Sequence, residues 1–245
     1  MKIGVLVAGV LPEKLSQRFA GYGEMYAALL GGLGYTFRHY DVRNGDFPAA
    51  ADEADAWLIT GSKNGVYEDE PWIKTLKTCL SDILKSDRPV VGICFGHQIL
   101  ADVLGGRVAK FDGGWTVGRT RYCLRQGTTL HAIAWHQDQV LALPPGAVRL
   151  ASSDSCENAM MMVGGHVLGI QPHPEFDAAI MRIALDAYGD ILPADLSQAA
   201  RATAHEPVAR DALVAMIDTF LRSKVRAPDQ LQQKVLQAMS RSEAA

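Results

Sequence analysis

Paired cysteines, an excess of basic charge and long apolar runs are all missing from this chain, and each absence removes a class of function. Its 4 cysteines, Cys79, Cys94, Cys123 and Cys156, lie far apart. They show neither zinc-site nor redox-dithiol spacing, and they are too sparse for a disulfide framework. A formal net charge of -3 and a pI near 6.2 supply no basic field for a nucleic-acid backbone or an anionic membrane. No apolar stretch reaches bilayer length, and the opening Met1-Lys2-Ile3-Gly4-Val5-Leu6-Val7 is too short for a secretory core. Gly-rich phosphate loops, internal repeats and low-complexity linkers are also missing. The expectation is a cytoplasmic chain with reduced thiols, without nucleic-acid, membrane or metal partners.

What is present is ordinary globular material, 48% hydrophobic and 21% charged over 245 residues, enough for a substantial core. In the first half, short apolar runs at Ile3-Val7, Thr36-Tyr40, Ala56-Thr60 and Pro89-Ile93 alternate with helical patterns. One pattern runs through Tyr22, Met25, Tyr26, Leu29, Leu30 and Leu33, and another through Ile73, Leu76, Leu80, Ile83 and Leu84, with Pro71 at its start. That alternation predicts an α/β doubly wound parallel sheet. After Gly105-Gly106 the texture shifts to β-like runs at Arg119-Leu124, Ile133-His136, Val148-Ala151 and Met160-Val163, the last joined through Gly164-Gly165 to His166-Ile170. These predict antiparallel additions and a hairpin. Helical patterns return around Ile180-Tyr188 and Leu213-Leu221. The division expected is one domain over 1–225 and a helical or frayed tail over 226–245.

The chemistry-bearing segment is Val90-Val91-Gly92-Ile93-Cys94-Phe95-Gly96-His97-Gln98, a strand, a sharp turn and a helix. Gly-x-Cys-x-Gly is the thiol version of the nucleophile elbow, which presents its central residue at a helix start above the carboxyl end of a sheet. Alone, Cys94 is equally well a small buried residue at a strand-helix junction. A second segment, Gly169-Ile170-Gln171-Pro172-His173-Pro174-Glu175-Phe176, changes the balance. Its proline-fixed extended backbone projects His173 and Glu175 in similar directions, so the carboxylate can hold the ring while the ring takes a thiol proton.

Together, Gly-Ile-Cys-Phe-Gly-His-Gln and Gln-Pro-His-Pro-Glu-Phe resemble the two signature segments of the class I glutamine amidotransferases, in the expected order and over roughly Met1 to Tyr188. The resemblance implies a flavodoxin-like α/β fold, its sheet mostly parallel with antiparallel β additions. It also implies a Cys94-His173-Glu175 triad and cleavage of a γ-glutamyl amide through a thioester, with no cofactor. Ile59-Thr60-Gly61-Ser62-Lys63 resembles the family's oxyanion loop, making the amides of Gly61 and Phe95 the candidate donors. Gln98 matches a position that contacts the glutamyl backbone, and Trp115 is either a wall of the pocket or a buried aromatic. Trp135-His136-Gln137-Asp138 resembles a segment near the active site but outside the triad, and His97 adjoins the elbow; both histidines are expected to be structural.

The Gly114-Trp115 feature resembles stand-alone members and γ-glutamyl peptidases more than synthetase-fused ones. The expected partner is therefore a small-molecule γ-glutamyl substrate. Two alternatives stay open: a glutaminase subunit passing ammonia to a separate synthetase subunit, and a catalytically idle binding or regulatory module of the same fold.

Overall fold

A computed structural model describes residues 1–11, 13–17, 21–222, 227–231, 233, 236 and 237. Strand β1 (Lys2–Val7) leads through the short helix α1 (Glu13–Ser16) and α2 (Tyr22–Leu30) to β2 (Thr36–Asp41). Strand β3 (Ala56–Ile59), helix α3 (Pro71–Leu84), β4 (Val90–Ile93) and α4 (Phe95–Val103) follow. The β-rich region holds β5 (Arg107–Lys110), β6 (Thr116–Leu124), β7 (Thr129–His136), β8 (Asp138–Ala142), β9 (Ala147–Ser153), β10 (Cys156–Val163) and β11 (Val167–Ile170). Helices α5 (Ala178–Tyr188), α6 (Ala194–Thr203) and α7 (Arg210–Arg222) complete the order.

The main sheet has 9 strands in the order β2-β1-β3-β4-β11-β10-β9-β6-β7. From β2 to β11 the pairings are parallel, and from β11 outward they are antiparallel. This is the α/β architecture expected, with a flavodoxin-like parallel core. The Gly164-Gly165 hairpin forms as predicted, and its second arm, β11, is the strand that joins the parallel core beside β4. Strands β5 and β8 make a separate antiparallel ribbon.

The inner parallel strands β3, β4 and β11 are buried on both faces, which is why they read as continuous apolar runs rather than as alternation, while the edge strand β2 stays largely exposed. Helix α3 opens with Pro71 at its first turn and buries Ile73, Leu76, Leu80 and Ile83 at helical spacing. Helix α4 lies across β3, β4 and β11 and buries Ile99 and Leu100 completely. Each such side chain stabilises the fold by roughly 1.5–3 kcal/mol. Paired glycines let this helix sit so low. Gly92 and Gly169 are register partners on β4 and β11. A Cβ on Gly92 would come 2.3 Å from the Gly96 carbonyl oxygen, and one on Gly169 would come 2.3 Å from His97 Nδ1.

The tail expected at 226–245 lies largely outside the described residues. Where it is described, 228–231 is helical, and Leu231 is fully buried in the same cluster as Met216 and Phe220. Among the described residues no helix is long and apolar enough to cross a membrane.

Candidate active site

Strand order reverses between β1 and β3, and the loops beyond the carboxyl ends of β1, β3, β4 and β11 converge there. That crevice is where open α/β sheets bind ligands. Contact is close: a Cβ on Gly9, after β1, would lie 2.4 Å from the Gly61 carbonyl oxygen, after β3. The cavity has a volume of about 410 Å³, and Cys94, Gln98, Trp115, His136, Asp138 and His173 all reach it.

Cys94 stands at the end of β4 as the N-cap of α4, with φ 52° and ψ -104°. A non-glycine residue there stores roughly 1–3 kcal/mol of strain, tolerated because the surroundings fix the turn. Its amide donates to the Ile170 carbonyl at 2.8 Å, while Gly96 packs so tightly on β3 that a Cβ would meet the Ile59 carbonyl oxygen at 2.4 Å. The thiol is 4.0 Å from the Trp135 carbonyl oxygen.

His173 is pinned from two sides. Its own amide donates to the Ile133 carbonyl of β7 at 2.8 Å, and the next carbonyl, of Pro174, accepts from Arg210 Nε at 3.1 Å. His173 Nδ1 donates to Glu175 Oε1 at 2.8 Å, with both side chains buried. Nε2 is left without a protein partner. A Cβ on Gly61 would lie 3.4 Å from His173 Cε1 and 3.8 Å from Cys94 Cβ, which places the loop after β3 within van der Waals reach of both the elbow and the imidazole. Burial opposes protonation of His173. The Glu175 carboxylate and Cys94 together outweigh it and hold the imidazole pKa well above its ordinary value.

The remaining candidates fall around this pair. Phe95 opens α4, so its N–H has no carbonyl one turn earlier within the helix. Its ring points to the opposite core, tilted against Trp72 at 5.7 Å. Gln98 donates Nε2 to the Asp138 carbonyl at 2.9 Å and to Gln171 Oε1 at 3.1 Å, which leaves its oxygen as the group it can offer a ligand. Trp115 is half-buried and lines the cavity while packing on the cluster of Leu15, Phe176 and Ile180.

The two outlying histidines separate. His97 bonds the Asn158 carbonyl at 2.9 Å beneath the elbow, and burial pushes its pKa down to about 4. His136 reaches the cavity, and among the described residues neither ring nitrogen has a hydrogen-bond partner; burial, then the neighbouring His173, pushes its pKa down to about 3.

Sequence reasoning missed two tyrosines. Tyr22 and Tyr26 of α2 are one helical turn apart, and their hydroxyl pKa values are raised by burial first and then by Glu175. Tyr26 is fully buried close enough to Glu175 for the carboxylate to raise its hydroxyl pKa, and among the described residues neither that hydroxyl nor Glu175 Oε2 has a hydrogen-bond partner. In the sequence these residues register only as members of an apolar helical stripe. Among the described residues no group of three or more His, Cys, Asp or Glu side chains could hold a metal ion.

Known proteins resemble this chain at several levels of likeness. The family model described as glutamine amidotransferase class-I matches residues 25–184. γ-Glutamyl peptidase 5 of Arabidopsis thaliana is 31% identical over 206 residues, covering 77% of this chain and 82% of its own. One of the subunits of the glutamine-hydrolysing GMP synthase of Methanosphaera stadtmanae is 36% identical over 113 residues, covering 43% of this chain and 61% of its own. The crystal structure of a glutamine amidotransferase from Thermotoga maritima superposes with a TM-score of 0.70 at 24% identity, covering 96% of this chain and 98% of the other. That last likeness is one of fold.

Proposed function

The chain belongs to the class I glutamine amidotransferase family, and on that footing we propose that its 1–225 unit hydrolyses γ-glutamyl amides with Cys94 as nucleophile, His173 as general base and acid, and Glu175 as the orienting carboxylate. One observation carries this reading: the strained Cys94 elbow and the buried His173-Glu175 pair open into one cavity, with Cys94 acting directly on the His173 imidazole. A buried carboxylate on Nδ1 leaves Nε2 facing the reaction, the arrangement that lets an imidazole exchange a proton with a thiol.

The reaction proceeds in two halves. Cys94 Sγ, as thiolate, attacks the γ-carbonyl carbon, and the C–S bond forms as the carbonyl oxygen takes negative charge. The amides of Gly61 and Phe95 receive that oxyanion. Collapse breaks the C–N bond, and the departing nitrogen takes the proton from His173 Nε2. Water then adds to the thioester and gives its proton back to Nε2. Glutamate leaves, and the thiolate-imidazolium pair is restored. Gln98 and Trp115 contact the bound substrate.

A reactive thiol should declare itself chemically. With limiting iodoacetamide near neutral pH, peptide mapping is expected to find Cys94 modified first. Burial, with Asp82 adding, pushes the Cys79 thiol up to about 11, and burial pushes Cys156 up to about 12. Cys123 is exposed and is the informative competitor. Faster labelling of Cys123 would count against an activated elbow.

The physiological setting has two readings. The peptidase relative, matched over most of its length, favours a stand-alone hydrolase. The GMP synthase relative favours delivery of ammonia to a separate synthetase. The stand-alone reading expects the purified protein to release glutamate from at least one γ-glutamyl compound with no partner present, because a stand-alone hydrolase must have its oxyanion donors and thiolate preorganised in the isolated chain. Background activity across a broad γ-glutamyl panel, appearing only when an ATP-dependent partner is added, would replace it with the subunit reading. A chain inert in both assays and unlabelled by a glutamine-like electrophile would be an idle binding module.

A further inference from the structure

The exposed large hydrophobic residues of the described chain are Met1, Val10, Tyr67, Tyr188 and Ile191, and all except Met1 line the same cavity that holds Cys94. Val10 and Ile191 are each 62% exposed. Apolar side chains scattered over a surface need no explanation, but a concentration at the mouth of one cavity marks a place where something apolar binds.

The cavity is also divided. Its charged side chains, Lys63, Glu68, Lys110 and Asp138, come from the loop after β3 and from the β5-β8 ribbon. Glu68 is held there by the Gly65 amide and Asn64 Nδ2, each at 2.7 Å, and Asp138 by the Tyr67 hydroxyl at 3.2 Å. Mixed charges of this kind suit the zwitterionic end of a glutamyl group. The wall of uncharged residues, Val10, Leu15, Trp115, Phe176, Tyr188 and Ile191, comes from other elements: the loop after β1, α1, the approach to β6, the segment just before α5, and α5 with the turn after it.

His173 fixes which part of a substrate meets that wall. Its ring stacks on Phe176, with centroids 4.5 Å apart and planes 25° apart. Phe176 belongs to the cluster of Leu15, Ile180 and Leu192, with Trp115 packed against it. The leaving nitrogen must sit at His173 Nε2 to be protonated, so its substituent lies in the cavity that Leu15, Trp115 and Phe176 line together with His173. Ammonia has no substituent to place there. A cationic amine would be desolvated against those side chains without a counter-charge.

Resting on the hydrolytic reading above, we propose that the substrates are γ-glutamyl amides whose leaving amine carries an aromatic or branched aliphatic group, and that Tyr188 and Ile191 select it. The test compares glutamine with γ-glutamylmethylamide, γ-glutamylisopentylamide, γ-glutamylphenethylamide and γ-glutamylputrescine, scored as kcat/KM. Binding of the same compounds to the Cys94→Ala protein is measured by calorimetry. The isopentyl and phenethyl amides are expected to exceed the methylamide by on the order of 10-fold or more in both readouts, the discrimination an apolar pocket gives for a few methylenes. Ile191→Asp, at an exposed position that folding does not depend on, should pull that ratio towards one. A flat ranking, or preference for glutamine or the putrescine amide, overturns the proposal and leaves the wall to a protein partner. The two readings fail separately: apolar-ranked binding without turnover by the unmodified protein sinks hydrolysis alone, whereas turnover with a flat ranking sinks the apolar subsite alone.

Discussion

Replacing Cys94 with alanine or serine is expected to abolish release of glutamate from every γ-glutamyl compound tested, a loss on the order of 10³-fold or more. The fold should survive. Cys94 is buried, and both replacements keep its volume nearly unchanged while removing the sulfur. A third variant separates chemistry from backbone strain. Cys94→Gly is equally inactive, yet it frees φ 52° from a side-chain penalty, so it should be more stable than Cys94→Ala by about 1 kcal/mol. Thermal unfolding of the pair reads that difference. Comparable turnover by the alanine variant would end the assignment of Cys94 as nucleophile. Equal stability of the glycine and alanine variants would mean that the elbow is not strained.

The parts of this site that could be read in the sequence are those whose backbone is set locally. Gly92 is demanded locally, because a Cβ there would come 2.3 Å from the Gly96 carbonyl oxygen within the same strand-helix turn, whereas Gly96 answers to the Ile59 carbonyl oxygen of the neighbouring strand β3. The extended path expected for His173-Pro174-Glu175 does not form: Pro174 and Glu175 are the central residues of a turn closed by the Phe176 N–H on the His173 carbonyl at 3.3 Å, and that local turn brings His173 Nδ1 to Glu175 Oε1. The inner parallel strands are legible for a similar reason, since burial on both faces leaves an unbroken apolar run. What stayed hidden depends on contacts between distant segments. Helix α6 buries only Ala200, so it lacks the apolar stripe that announces a helix. Strand β8 pairs with β5 in a ribbon of its own and carries buried Gln139, bonded to the Ser155 carbonyl, where alternation would place an apolar residue. Tyr26 looks like core in any periodicity plot; only the fold sets its hydroxyl beside Glu175. Val10 and Ile191 belong to one wall although most of the chain separates them.

Loss of His173 should be as severe as loss of Cys94, and loss of charge at Glu175 should be milder but visible in a different way. His173→Ala leaves the thiol without a proton acceptor and the leaving nitrogen without a donor, so activity is expected to fall on the order of 10³-fold or more, with little further loss when combined with Cys94→Ala. Glu175→Gln keeps the ring's neighbour and its volume, so the expected fall is on the order of 10²-fold, at the lower end for general acid-base groups. The pH profile carries the sharper information. Burial by itself disfavours the imidazolium, and the Glu175 carboxylate is the leading influence that reverses it. A raised pKa keeps Nε2 protonated through neutral pH and releases the proton only on the alkaline side, where the donor for the leaving amine is lost. The alkaline limb of kcat/KM therefore reports His173. With glutamine at 175 the carboxylate charge is gone while the burial remains, so the imidazolium becomes harder to form. The limb should move to lower pH, and the narrowed profile should leave activity on the acid side least affected. A profile measured with one γ-glutamyl amide for both proteins decides it: a limb that stays in place means that Glu175 shapes the ring's position without setting its charge.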